Sequence, residues 1–186
     1  MFRFTAPLCR FDDSPIYWVH HIPIPDVLLP ALLEACPDKR VLCALQGAYQ
    51  MHSALIPKGH FHYIMVNRDI LKQLQLQTGD SVEVVLTPDT SLYGIAVCEE
   101  FLAVMESDPE AADCFEKLTP GKKRSLIQLI NKVKNPDLRI RKSMVVLTHV
   151  QQRNGGLDFK ALQLDFKKEA EQRGWLQLAN RKNKFI

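Results

Sequence analysis

The sequence lacks most of the signatures that would identify a reaction or a cofactor. It has no glycine-rich phosphate loop, because Gly155-Gly156 is not accompanied by the spaced glycines and the lysine that such a loop requires. Its five cysteines are odd in number and widely spaced, and no two of them form a Cys-x-x-Cys pair. These absences argue against nucleotide hydrolysis and a disulfide framework, and they indicate reduced cysteines of a cytoplasmic protein.

Long apolar runs are also missing. No stretch approaches the roughly 20 consecutive apolar residues that a membrane-spanning helix needs. The first residues, Met1 to Thr5, alternate between apolar and polar side chains instead of forming a basic patch followed by an apolar run, so we predict no signal peptide. The expected location is the cytoplasm.

The chain changes character near Cys98. Residues 1–97 contain seven basic and nine acidic side chains, a formal net charge of −2, whereas residues 98–186 contain 17 and 12, a net charge of +5. Apolar residues alternate before this point and recur at helical spacing after it. We therefore predict a small β-barrel domain over residues 1–97 and an α-helical module with a basic C-terminal tail over residues 98–186.

The first half has the pattern of short strands separated by turns. Phe2, Phe4, Ala6 and Leu8 lie two residues apart and would share one face of a strand. The predicted strands cover residues 2–9, 16–20, 41–45, 51–57, 60–66, 82–86 and 92–97, and short helices are predicted at 27–36 and after the capping residue Asn67. Because closure removes exposed strand edges, we predict an α+β protein that begins with a closed or nearly closed β-barrel.

The second half carries repeated helix-start signals. Asp108, Thr119 and Asn135 each stand immediately before a proline, which is the pattern of a capping residue followed by the first helical position. Apolar residues then recur at helical spacing, including Ile140, Met144 and Leu147, and a further stripe from Phe159 is predicted to end near Gly174. The tail from Asn180 to Lys184 has little to bury and is predicted to fray.

The histidines are the first candidates for chemistry. His60 and His62, separated by one residue, would project from one face of a strand, and His52 or the His20-His21 pair could add ligands for a metal. No acidic residue follows at a suggestive interval, so we predict no metal and no other cofactor. Ser53 and His52 are neighbours on a strand and point to opposite faces, so we assign no catalytic residue. Enzymatic activity stays undecided, with its absence favoured.

Basic residues are the second group of candidates. Arg139 and Lys142 lie one helical turn apart and could bind one anion together, although a solvated basic face is the alternative. The basic runs lack interleaved aromatic side chains, which argues against nucleic acid as a partner. The candidate residues for ligand or anion binding are Arg139, Arg141, Lys142, His52, His60 and His62.

Two parts of the sequence resemble known bacterial domains. The segment Val41 to Leu86, with Gly47, the Ser53-to-Pro57 stretch, the Lys58-Gly59 turn and Gly79-Asp80-Ser81-Val82, resembles a barrel domain of unassigned function. The segment that follows resembles the bacteriocin-protection, or YdeI/OmpD-associated, family through Asp108-Pro109-Glu110-Ala111, Phe115, Leu118, Ile130, Lys134 and Arg139. The resemblance implies a link to tolerance of antimicrobial peptides and no catalytic residue.

Two functions follow as hypotheses. The first is a non-enzymatic binding or interaction protein of unknown partner, connected with bacteriocin or envelope-stress tolerance. The second is a small-molecule sensor or enzyme that uses a pocket between barrel and helices, lined by His52, His60 and His62. Nucleic-acid binding through the basic helices is a lower alternative.

Overall fold

The computed structural model describes residues 1–11 and 20–182, and it describes the side chains of α7 only through Gln172 and at Gly174. Most of the predicted strand at residues 16–20 and the end of the predicted tail therefore lie outside the described residues. The chain divides into two compact units, Met1–Ala96 and Val97–Ile186. Among the described residues, no helix is both long enough and apolar enough to cross a membrane.

The first unit consists of two four-stranded antiparallel sheets. The strands are β1 (Phe2–Pro7), β2 (Cys9–Arg10), β3 (His20–Pro23), β4 (Arg40–Leu45), β5 (Tyr49–Ala54), β6 (Ile56–Lys58), β7 (Phe61–Val66) and β8 (Ser81–Pro88). One sheet has the order β1-β8-β4-β5 and the other β2-β3-β7-β6. Alternate residues of both sheets, such as Val41, Cys43 and Leu45 of β4, point into a common apolar core.

The chain passes between the two sheets at two bends. At Leu8, between β1 and β2, the backbone N–H donates to the carbonyl of Asp80 at 2.8 Å, and Gly79 donates back to the Leu8 carbonyl at 2.8 Å. At Leu55, between β5 and β6, the N–H donates to the carbonyl of Lys39 at 3.0 Å. These bonds continue the antiparallel registers of β1 with β8 and of β4 with β5 up to the bends. Neither sheet closes on itself within the described residues. The α+β class is confirmed, and the predicted closed barrel is corrected to two four-stranded sheets.

Two short helices contribute to the core of the first unit. In α1 (Leu29–Ala35), Leu32 is fully buried, and α2 (Arg68–Leu74) buries Ile70 and Leu71. As predicted, the Asn67 side chain caps α2 by accepting a hydrogen bond from the Ile70 N–H at 2.8 Å.

The predicted strand at residues 92–97 is wrong. Asp89 ends the ladder by donating its N–H to the Arg40 carbonyl, and its carboxylate then accepts the Ser91 N–H at 3.0 Å. This side-chain bond turns the chain, as aspartate commonly does, and Gly94 follows with φ +67°. A Cβ at Gly94 would lie only 2.9 Å from Arg40 Nε, so the position favours glycine in both conformation and space.

The second unit is helical. Its helices are α3 (Glu99–Ser107), α4 (Pro109–Glu116), α5 (Pro120–Asn131), α6 (Pro136–Gln151) and α7 (Phe159–Lys182). The three predicted prolines do begin α4, α5 and α6, and Asp108 and Asn135 cap through their side chains, each accepting an N–H at 3.0 Å. Thr119 precedes α5 without a side-chain capping bond. The predicted end of the last helix near Gly174 is wrong, because α7 continues to Lys182.

The burial of α6 differs from the apolar stripe read from the sequence. Ser143, Val146, Leu147 and Val150 are buried on the face that meets α3, α4 and α5, whereas Met144 is 54% exposed. Ser143 can occupy the core because its hydroxyl donates to the Arg139 carbonyl at 2.8 Å. The prediction that Met144 belongs to the core stripe is therefore wrong, and this residue lies on another face of the helix.

Candidate functional site

Arg139 has a structural role in the second unit. Its Nη1 donates to both carboxylate oxygens of Glu100 at 2.8 Å, and its Nε and Nη2 donate to the Val133 carbonyl at 3.0 and 2.8 Å. The hydrogen bond from Arg139 lowers the pKa of Glu100, and the pKa of Arg139 is raised in return. The guanidinium thus ties α6 to α3 and to the end of α5, which leaves it few donors for an external anion.

Arg141 and Lys142 face α7 and do not converge with Arg139. Arg141 Nη1 lies 3.7 Å from Glu169 Oε1, and Lys142 Nζ lies 5.2 Å from the centre of the Phe166 ring. Arg139 and Lys142 therefore contact different parts of the unit, and a joint anion site stays a prediction. Arg141 instead marks one end of a groove between α6 and α7.

This α6–α7 groove has a volume of about 320 Å³. The two helices run antiparallel, because Arg141 pairs with Glu169 and His149 pairs with Asp165. Its lining is Arg141, Met144, Val145, Thr148 and His149 from α6 and Gln152 directly after it, with Asp165, Lys168, Glu169 and Gln172 from α7. The α6 residues recur at intervals of three and four, so they form one stripe along the helix.

The charged side chains around the α6–α7 groove are unequally exposed. Arg141 is 52% exposed against 27% for its partner Glu169, and Lys168 is 72% exposed against 28% for Asp165, from which it lies 3.9 Å. Both ion pairs are long and solvated, so each is weak. The groove therefore combines two apolar side chains, Met144 and Val145, with two cations, Arg141 and Lys168, that are largely exposed to solvent.

His149 fixes one end of the α6–α7 groove. The imidazole is fully buried and its Nδ1 lies 2.7 Å from Asp165 Oδ2, while the Asp158 N–H reaches Nε2 at 3.4 Å. Since the carboxylate accepts, Nδ1 carries the proton and Nε2 accepts from the backbone. Asp158 in turn accepts from the Lys160 and Ala161 N–H groups at the start of α7, and these bonds lower its pKa. His149 therefore holds the helices in place beside the groove.

A second imidazole–carboxylate pair lies in the first unit. His52, on β5, places Nδ1 2.7 Å from Asp89 Oδ2, and Asp89 Oδ1 accepts from the Ser91 N–H at 3.0 Å and from Ser91 Oγ at 2.6 Å. The carboxylate is fully buried and the imidazole is 25% exposed. Burial raises the pKa of Asp89, but the hydrogen bonds from Ser91 and His52 outweigh it and hold the pKa below its ordinary value. An ionised Asp89 keeps the His52 proton on Nδ1, so Nε2 is the remaining acceptor.

The other candidate histidines do not join His52. His60 is exposed in the turn before β7, and His62 lies on β7 in the other sheet from His52. His62 Nδ1 is buried and makes no hydrogen bond with the described residues. Within residues 1–11 and 20–182, no group of three or more histidine, cysteine or acidic side chains is arranged to hold a metal ion. Burial also raises the pKa of Cys43 to about 12, so this thiol stays protonated and unreactive.

Comparison with protein families divides the chain in the same order as the two units. Residues 4–86 match the domain of unknown function DUF1905, and residues 95–152 match OmdA, described as "Bacteriocin-protection, YdeI or OmpD-Associated". The chain is a DUF1905 domain followed by an OmdA domain. No curated protein matches the sequence. The OmdA match ends at Gln152, the groove residue directly after α6, so the α7 wall comes from residues beyond the matched region.

Several residues of these sites were missed from the sequence. The sequence pattern does not single out Asp89, His149 or Asp165 as site residues. The sequence did contain one pattern that could have indicated the groove. Arg141, Thr148 and Gln152 recur at helical spacing with Met144, so they share one side of the helix. The hypothesis of a pocket between the two modules stays a prediction.

Proposed function

We propose that this chain is a cytoplasmic, non-enzymatic binding protein that takes its ligand in the α6–α7 groove and contributes to tolerance of antimicrobial peptides. The observation that carries the proposal is the α6–α7 groove of about 320 Å³, in which the exposed Met144 and its neighbour Val145 are bordered by polar and charged side chains. A groove that combines apolar side chains with a few hydrogen-bonding and charged groups is the usual form of a ligand site. The OmdA description supplies the connection with bacteriocin protection.

The composition of the α6–α7 groove supports binding rather than catalysis. His149 is buried with both ring nitrogens engaged, so it has no free position from which to exchange a proton with a ligand. Thr148 and Gln152 can donate and accept hydrogen bonds along one wall of the groove. The five cysteines are free thiols, as expected of a protein in a reducing compartment.

A deletion strain tests this function. The strain is exposed to cationic antimicrobial peptides and complemented with the wild-type gene, with Met144→Glu, or with Lys160→Gln as the control. Lys160 is an exposed α7 cation that does not line the groove. We expect reduced survival on deletion, rescue by the wild type and by Lys160→Gln, and no rescue by Met144→Glu. Unchanged sensitivity of the deletion strain would contradict the role in tolerance.

The His52–Asp89 pair favours a second candidate function, a small-molecule sensor or enzyme in the DUF1905 domain. A partly exposed imidazole oriented by a buried carboxylate is the arrangement of a polarised acceptor or base. A thermal-shift screen of metabolites and metal ions tests it, since a ligand that binds the folded state raises Tm. A stabilising compound whose effect is lost in His52→Gln and kept in His60→Gln would support this candidate, and no such compound would count against it.

A further inference from the structure

The α6–α7 groove also has a polarity that selects among ligands. On each ion pair that borders it, the cation is about two times or more as exposed as the carboxylate, at Arg141 against Glu169 and at Lys168 against Asp165. A ligand that approaches from solvent therefore meets the cations first. Residues 98–186 contain 17 basic and 12 acidic side chains, so the electrostatic potential around the second unit is positive and attracts acidic ligands.

The shape of the α6–α7 groove matches an elongated ligand. Its first wall runs from Arg141 on α6 to Gln152 at the helix C-terminus, about 16 Å at 1.5 Å per residue. Met144 and Val145 supply apolar contact area, and methionine adapts to differently shaped partners. A third helix laid along a pair of antiparallel helices is a common mode of peptide recognition, with one apolar face in the groove.

We propose that the α6–α7 groove binds an acidic amphipathic helix, whose apolar face packs on Met144 and whose carboxylates contact Arg141 and Lys168. This inference rests on the proposed function, because it names the partner class for the same groove. It also implies that cationic antimicrobial peptides are not themselves the ligand, since both outward side chains would repel them. Tolerance would then act through an acidic protein segment.

Two synthetic helices of about 16 residues test the proposal, with leucines at identical positions and either glutamate or lysine elsewhere. Binding to the full chain is measured by fluorescence anisotropy at low and moderate salt. We expect saturable binding of the acidic helix that weakens with salt, and at least tenfold weaker binding of the basic helix. Equal binding of both helices, or binding of the basic helix alone, would overturn the proposal.

Variants locate the site. Arg141→Gln combined with Lys168→Gln should weaken acidic-helix binding about tenfold, and Met144→Glu should abolish it. Lys122→Gln combined with Lys160→Gln removes the same charge outside the groove and should change the affinity less than about twofold. An equal effect of the two double variants would contradict the groove as the site.

Two further arms separate the alternatives. Saturable binding to phosphatidylcholine vesicles containing phosphatidylglycerol, with none to the acidic helix, would overturn the proposal and identify a lipid surface as the partner. Acidic-helix binding with an unchanged deletion phenotype would keep this inference and remove the role in peptide tolerance. A deletion phenotype without acidic-helix binding would keep the role in peptide tolerance and overturn this inference.

Discussion

Arg139 and Arg141 lie two residues apart on α6, and the protein uses them in opposite ways. Arg139 donates four hydrogen bonds to Glu100 and the Val133 carbonyl, at 2.8 to 3.0 Å. Arg141 lies 3.7 Å from Glu169 and is 52% exposed. The face of α6 that meets α3, α4 and α5 is thus closed, with its charge engaged, whereas the face toward α7 is open, with its cation near solvent. Proximity in sequence does not make two basic residues one site.

The two faces of α6 should differ most in how much a truncated side chain lowers the free energy of unfolding. Leu147→Ala on the closed face should lower the free energy of unfolding by roughly 2–5 kcal/mol, because Leu147 is 2% exposed and truncation leaves a cavity. Met144→Ala on the open face should cost less than about 1 kcal/mol. Urea unfolding of both variants measures the contrast. Similar losses for the two would mean that Met144 is packed as core.

The buried carboxylate of the first unit should show the next largest effect. Asp89→Ala leaves the Ser91 N–H and hydroxyl and the His52 Nδ1 proton without their acceptor, so we expect a loss of roughly 1–3 kcal/mol in unfolding free energy. His60→Ala, an exposed turn substitution, is the control and should change stability little. Thermal and urea unfolding measure both, and equal Tm values for Asp89→Ala and the wild type would contradict the hydrogen-bond network.

The two arginines of α6 should separate in stability and binding. Arg139→Gln should lower Tm clearly, because it removes the contacts between α6, Glu100 and Val133. Arg141→Gln should leave Tm nearly unchanged, since a solvated pair at 3.7 Å contributes little, and should weaken acidic-helix binding. Calorimetry and anisotropy on the same preparations distinguish the two. The reverse pattern would mean that the closed and open faces have been misassigned.

Acid should produce the smallest effect, and in the first unit it acts through Asp89. The folded-state pKa of Asp89 is lower than its ordinary value of about 3.9, so its contribution to stability is present above that pH. It is lost as the pH falls through the folded-state pKa, because protonation removes the charge that accepts from His52 and Ser91. Comparing the pH dependence of unfolding for the wild type and Asp89→Asn measures it. If the free energy of unfolding falls equally with decreasing pH in both proteins, Asp89 does not contribute to the acid dependence of stability.

The patterns that the sequence predicted well are those set by local chemistry. Proline after a capping residue fixed the starts of α4, α5 and α6, and the Asn67 cap formed as predicted. Most strands followed from alternation because one face of each sheet is buried. The prediction that Met144 belongs to the core was wrong because apolar spacing alone does not show which side of a helix is covered by its neighbours. The alternation pattern did not show the bends at Leu8 and Leu55, where the chain passes from one sheet to the other, because the partners of these residues are not their neighbours in sequence.

The candidate sites were harder to predict than the fold. The His52–Asp89 pair joins residues 37 positions apart, and the His149–Asp165 pair joins two helices. Neither pair has a spacing that a motif would capture, because each depends on strand pairing or on helix packing. Arg139 was selected for its charge, yet its bond to Glu100 spans 39 positions and could not be read from the local sequence.

Methyl NMR of the methionines tests the groove most directly. The chain has five methionines, of which Met51 and Met65 lie on strands of the first unit and Met144 lies in the α6–α7 groove. On titration with the acidic helix, we predict a saturable shift of the Met144 methyl resonance and no shift at Met51 or Met65. Shifts at Met51 or Met65 with none at Met144 would contradict the assignment of the groove as the ligand site.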